Sequence, residues 1–139
     1  MIAEDYCSYE VAKLLKEKGF NESCYTYYDD IDNSINRFDK GLRFNNTSYP
    51  WGVPYDISKA KKYIVTPTHQ MAMKWLREEK NIFIVIEPHA YDYVNEKNKS
   101  YVCSLWVGDN YYEYLESRDY PSYEKTVETA LKYCLEHLI

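Results

Sequence analysis

An α+β fold is what this chain predicts: an antiparallel sheet, made of a three-stranded meander with added edge strands, packed on one face by a single layer of three amphipathic helices. Three observations carry that expectation. Apolar residues recur at helical spacing over residues 8–19, 66–80 and 122–138. Ile82-Phe83-Ile84-Val85-Ile86 is an unbroken apolar run of strand length. From Tyr101 to Val107 the side chains alternate, and Gly108-Asp109-Asn110 then turns the chain into a returning strand at Tyr111-Tyr112-Glu113-Tyr114-Leu115. At 139 residues the whole chain fits one domain with a core of its own.

The first helix begins at Ser8, whose hydroxyl suits the free backbone N–H groups of a first turn, with Glu10 favoured at the positive end. Val11, Ala12, Leu14 and Leu15 make its apolar stripe, while Lys13, Lys16 and Glu17 face water. Gly19 ends it, and Phe20 can fold back as the apolar contact of a Schellman stop.

Cys24-Tyr25-Thr26-Tyr27-Tyr28 has the composition of an edge strand, ended by the polar run Asp29-Asp30-Ile31-Asp32-Asn33-Ser34. Gly41-Leu42-Arg43-Phe44 reads as a short strand, Asn45-Asn46-Thr47-Ser48 as turn chemistry and Pro50-Trp51-Gly52-Val53-Pro54-Tyr55 as an aromatic loop between two prolines. So long a stretch without regular pattern suits a binding loop or a mobile one. Tyr63-Ile64-Val65 leads on in extended form.

Thr66-Pro67 is a helix-start signal, with threonine as cap and proline at the first helical position. Met71, Ala72, Met73, Trp75 and Leu76 gather on one face; Gln70, Lys74, Arg77 and Glu78 cover the other. Lys80-Asn81 suits the C-terminus. Five apolar residues in a row cannot all point to one side of a strand, so residues 82–86 read as the central strand, covered on both faces. Pro88 suggests a bend or an edge, Tyr91-Asp92-Tyr93-Val94 resumes alternation, and Asn95-Glu96-Lys97-Asn98-Lys99 is a polar turn. Pro121-Ser122 opens the last helix, where Tyr123, Val127, Ala130, Leu131, Cys134, Leu135 and Leu138 share a face and Glu128 with Lys132 forms an i,i+4 pair on the other.

Thr66-Pro67-Thr68-His69-Gln70-Met71-Ala72-Met73-Lys74-Trp75-Leu76-Arg77-Glu78 resembles the best-kept segment of a family of small proteins from gut Bacteroidales and their phages or mobile elements. Residues 8–19 and Tyr133-Cys134-Leu135-Glu136 resemble that family too, so the likeness covers about a third of the chain. No activity is attached to the family; what the resemblance implies is a bacterial or phage cytoplasmic setting.

Composition narrows the function. A net charge of −5 speaks against non-specific nucleic-acid binding and against an anionic membrane surface. No apolar run has transmembrane length, and Met1-Ile2-Ala3-Glu4-Asp5 lacks a signal-peptide pattern, so the expectation is a cytoplasmic protein. The four cysteines, Cys7, Cys24, Cys103 and Cys134, lie too far apart in sequence for zinc-pair spacing and read as free thiols, so neither a metal nor another cofactor is expected.

Among the histidines, His69 reads as a packed or capping residue and His137 as a favourable partial charge at a helix C-terminus. Glu87-Pro88-His89 places a carboxylate and an imidazole just past a strand, the makings of general acid–base chemistry. A reaction centre needs a convergent constellation, of which this is one fragment, so a small hydrolase or transferase using His89 and Glu87 is the second reading.

The first follows from tyrosine, 17 of the 139 residues. Most of these suit half-buried strand surfaces. The remainder point to a recognition surface contributed by Trp51, Tyr55, Tyr91, Tyr93 and Trp106, interspersed with Asp92, Glu113, Glu116 and Asp119. The expected protein is a non-enzymatic binding module for a protein or small-molecule ligand, with those acids favouring a basic partner or imitating phosphate charge. A sheet edge covered by a second copy is the third possibility.

Overall fold

A computed structural model describes residues 2–29, 35–37, 45–46, 63–88, 100–114 and 122–139. Their fold is α+β, with three helices and antiparallel sheets. The strands fall into two three-stranded sheets, and the chain into two compact units, Met1–Thr68 and His69–Ile139.

The first unit holds helix α1 (Tyr9–Glu17) and strands β1 (Thr26–Asp29), β2 (Ile35–Arg37) and β3 (Tyr63–Val65). α1 forms as its sequence dictates. Ser8 accepts from the Val11 N–H, and Val11, Ala12 and Leu15 are buried. At the other end Phe20 N–H donates to the Leu15 carbonyl at 2.9 Å and Gly19 N–H to that of Lys16 at 3.2 Å. This is the Schellman pattern, with Gly19 at φ +95° and Phe20 fully buried.

The sheet order is β2-β1-β3, so the tyrosine-rich segment expected at an edge is the middle strand. The reason is that it finds a partner on each side: Tyr28 stands opposite Ile35 on one and Ile64 on the other. Asn46 reaches in with its amide, donating to the Phe20 carbonyl at 3.1 Å and accepting from the Val65 N–H at 3.0 Å.

Thr66 does not cap a helix. Its hydroxyl donates to the Cys7 carbonyl at 2.7 Å, its own carbonyl accepts from the Thr26 hydroxyl at 2.7 Å, and its N–H donates to the Thr26 carbonyl. Tyr28 also donates to the Cys7 carbonyl at 2.9 Å, and Cys7 N–H donates to the Pro67 carbonyl at 3.0 Å. A buried hydroxyl with this much to satisfy is not free to start a helix.

The second unit begins with helix α2 (His69–Lys80) and continues through β4 (Ile82–Pro88), β5 (Tyr101–Val107), β6 (Asn110–Tyr114) and helix α3 (Tyr123–His137). Ala72, Met73, Trp75 and Leu76 are buried on α2, as their spacing requires. Asn81, at φ +54°, ends the helix in the left-handed region that asparagine tolerates and delivers the chain at once into β4. β4-β5-β6 is an antiparallel meander with β5 in the middle. Its second hairpin turns in two residues, Gly108 at φ +59° and Asp109, between the paired Val107 and Asn110. On α3, Ser122 accepts from the Lys125 N–H, and Val127, Ala130, Leu131, Cys134 and Leu135 are buried. Lys132 reaches Glu136 at 4.0 Å.

Residues 82–86 are therefore an outer strand and not the central one. Among the described residues β4 pairs with β5 alone, and while Ile82 is buried, Phe83 and Val85 are exposed. Helices α2 and α3 both pack against the sheet on the Ile82, Cys103 and Leu105 side, and among the described residues nothing buries Phe83 and Val85 on the opposite side of β4.

A Cβ added at Gly19 meets nothing within 4 Å, so the penalty of a substitution there is purely conformational. Gly19→Ala is expected to lower unfolding free energy by about 1–2 kcal/mol, read in a denaturant melt.

Candidate recognition face

Strand geometry sends successive side chains to opposite faces, and in β4-β5-β6 the two faces differ in kind. Ile82, Cys103 and Leu105 are buried beneath the helices. The other parity carries Phe83, Val85 and Glu87 on β4, Val102, Ser104 and Trp106 on β5, and Tyr111 on β6.

Register then aligns three of these into one row. Phe83 stands opposite Trp106, and Trp106 opposite Tyr111. Their exposures are 40%, 42% and 52%, so the row is open along its whole width. The Trp106 and Tyr111 rings lie with centroids 4.9 Å apart and planes tilted by 54°, an aromatic pair that holds both rings in place. Val85, opposite Ser104, extends the apolar surface by one row, whereas Tyr112, opposite Leu105, belongs to the other parity. Glu87, opposite Val102, ends it with an exposed carboxylate.

No family model, curated protein or solved structure matches the chain.

Of the residues expected to recognise a ligand, Trp106 is on this face, and so is Glu87, which the acid–base reading had paired with His89. Trp51, Tyr55, Tyr91, Tyr93 and His89 lie outside the described residues. Phe83, Val85 and Tyr111 were not foreseen as surface. The turn at Gly108-Asp109 was a usable signal for Tyr111, since a two-residue hairpin places it opposite Trp106. Nothing local distinguishes Phe83 from Ile82.

A second polar arrangement sits inside the same unit. His69, at the start of α2, is buried, and its Nε2 lies 2.8 Å from Oε1 of Glu128 on α3. The expected packed role of His69 thus includes a specific partner, one that sequence alone had aimed at Lys132. A hydrogen bond between two largely buried side chains ties the first turn of one helix to the middle of another. Glu128→Ala should destabilise the protein by about 1–3 kcal/mol, with Glu128→Gln, which keeps an acceptor, losing less; paired chemical denaturations measure the difference.

All four cysteines are buried thiols, none of them in a disulfide. Burial pushes the thiols of Cys24, Cys103 and Cys134 from an ordinary 9.0 up to about 12, with Glu22 adding to the effect at Cys24 and Cys103 at Cys134. These are packed groups and not nucleophiles. A thiol whose folded value is raised binds its proton more tightly when folded, so its contribution to stability is intact below about 9 and is lost as pH climbs toward 12. Stability is expected to fall across that window, and a thiol-reactive dye at pH 8 should label the three residues in denaturant but not in the native protein.

Proposed function

We propose that this chain is a non-enzymatic binding protein that engages another protein through the open face of β4-β5-β6. The observation that supports this most directly is the Phe83–Trp106–Tyr111 row, three large side chains aligned across three strands and exposed together. Contiguous exposed apolar surface is unusual on a protein that acts alone, and tryptophan and tyrosine are the residues that protein interfaces enrich. Each offers a large contact area with few rotatable bonds, so little conformational freedom is lost when a partner settles on it.

The form of the surface narrows the ligand. A row across a sheet presents breadth and not enclosure, whereas small molecules are held in concave sites that surround most of their area. A protein partner suits it better than the small-molecule ligand considered alongside it. On the same reading Glu87 is a rim carboxylate of the face. The cytoplasm of a bacterium, with a phage or mobile element as source, is the setting that goes with the proposal. No described helix is long and apolar enough to cross a membrane.

Trp106 is the test. Because 42% of it is exposed and it contacts the half-exposed Tyr111, Trp106→Ala should change folding stability by less than about 1 kcal/mol. Partner affinity should drop by about 2 kcal/mol, near 30-fold, as truncation of a central aromatic anchor does. Thermal melts and affinity capture with wild type and variant side by side read both; a variant that unfolds would make Trp106 a core residue instead.

A further inference from the structure

The charge of the proposed face says what kind of protein it fits. Among the described residues of the meander, 82–88 and 100–114, there are three acids, Glu87, Asp109 and Glu113, and no lysine or arginine. Glu87 and Asp109 are both exposed. Among the described residues neither has an ion-pair partner, although α2 and α3 carry several pairs of their own. Glu113 holds the register position opposite Ser104, one row from Trp106. Glu87 closes the β4 end of the face, and Asp109 stands at the hairpin tip three residues from Trp106 in sequence.

We infer that the occupant of this face is a basic segment of another protein, with arginine or lysine side chains beside an apolar one. The inference rests on the reading of the face as a recognition surface and adds the chemistry of the partner. Two independent features select the same cation. Carboxylates to either side of the aromatic row along the strands, Glu87 two rows away on β4 and Asp109 in the β5–β6 turn, attract a basic chain and slow its departure, while a mismatched acidic surface is repelled. The paired rings of Trp106 and Tyr111 present the negative faces on which a guanidinium stacks, with its apolar stem lying against Phe83 and Val85. The same carboxylates disfavour a phosphate backbone, which places nucleic acid outside this chemistry. They also disfavour a second copy, since a face-to-face dimer would set like charges against one another.

The experiment uses the full chain and defined peptides. Short random peptides displayed on a surface are selected against the wild type and against Trp106→Ala, and a winning peptide is synthesised for fluorescence anisotropy. Expected are winners with net positive charge that combine arginine or lysine with an apolar residue, and that are not recovered on Trp106→Ala. Their affinity should weaken roughly tenfold when Glu87→Lys and Asp109→Lys are combined, both positions being exposed and remote from the core. It should weaken also as salt rises from about 0.05 to about 0.5 M.

Neutral or acidic winners that still require Trp106 would overturn the basic partner and leave the recognition face standing. Winners retained by Trp106→Ala, or no winners at all, would overturn both. A light-scattering mass of two chains in which Trp106 is shielded from a fluorescence quencher would overturn the inference in favour of self-association. Should Trp106→Ala not fold, the charge-reversed double variant decides the matter alone: unchanged affinity and unchanged salt dependence would sink it.

Discussion

The turn at Asn81 decides what the second unit shows to solvent. It allows the chain to leave α2 and enter β4 with no intervening loop, and its carbonyl is held by the Gly108 N–H at 3.0 Å, which ties the helix end to the β5–β6 hairpin. With both turns pinned, the register of the meander has no slack. Ile82 must go under the helices and Phe83 must not. A shift of one residue would invert the sheet, driving Phe83, Val85 and Trp106 inward and turning Ile82, Cys103 and Leu105 out to water. Loss of those buried side chains from the core is what makes that alternative inaccessible.

The first unit is held on a different principle. Its apolar core, Val11, Ala12, Leu15, Phe20, Ile64 and Val65, is threaded by polar bonds at Thr26, Thr66 and the Cys7 backbone. The Cys7 carbonyl accepts from two hydroxyls, using both of its lone pairs. Short buried hydrogen bonds of this kind add modest net stability, but leaving one unmade is expensive, so they select one arrangement of strands over its competitors. The second unit gains its definition from side-chain volume, with the His69–Glu128 bond as its principal buried polar contact among the described residues.

Much of this was legible residue by residue. Ser8, Gly19 and Phe20 specify both ends of α1, Ser122 specifies the start of α3, and Gly108 the hairpin, because capping and tight turns are interactions between near neighbours. The buried faces of the helices follow from spacing for the same reason, except that on α3 Tyr123, expected on the apolar face, is exposed and Thr126 is buried in addition. Thr66 misled because a threonine before a proline satisfies the local rule, while its hydroxyl is claimed by Cys7, 59 residues away in sequence. Ile82-Phe83-Ile84-Val85-Ile86 misled because hydrophobicity records what a side chain tolerates, not which side of a sheet a helix will cover. His69 was assigned a packed role correctly in kind, but its partner lies on another helix, and spacing within one helix carries no information about that.

The amino-acid order alone therefore determined the α+β class, the amphipathic helices, both caps of α1, the N-cap of α3 and the presence of an alternating strand around Trp106, all set by contacts between residues a few positions apart. Tertiary structure alone decided that Phe83, Trp106 and Tyr111 form a single exposed row, because strand register and the side on which helices pack are properties of distant segments meeting, and no local preference encodes them.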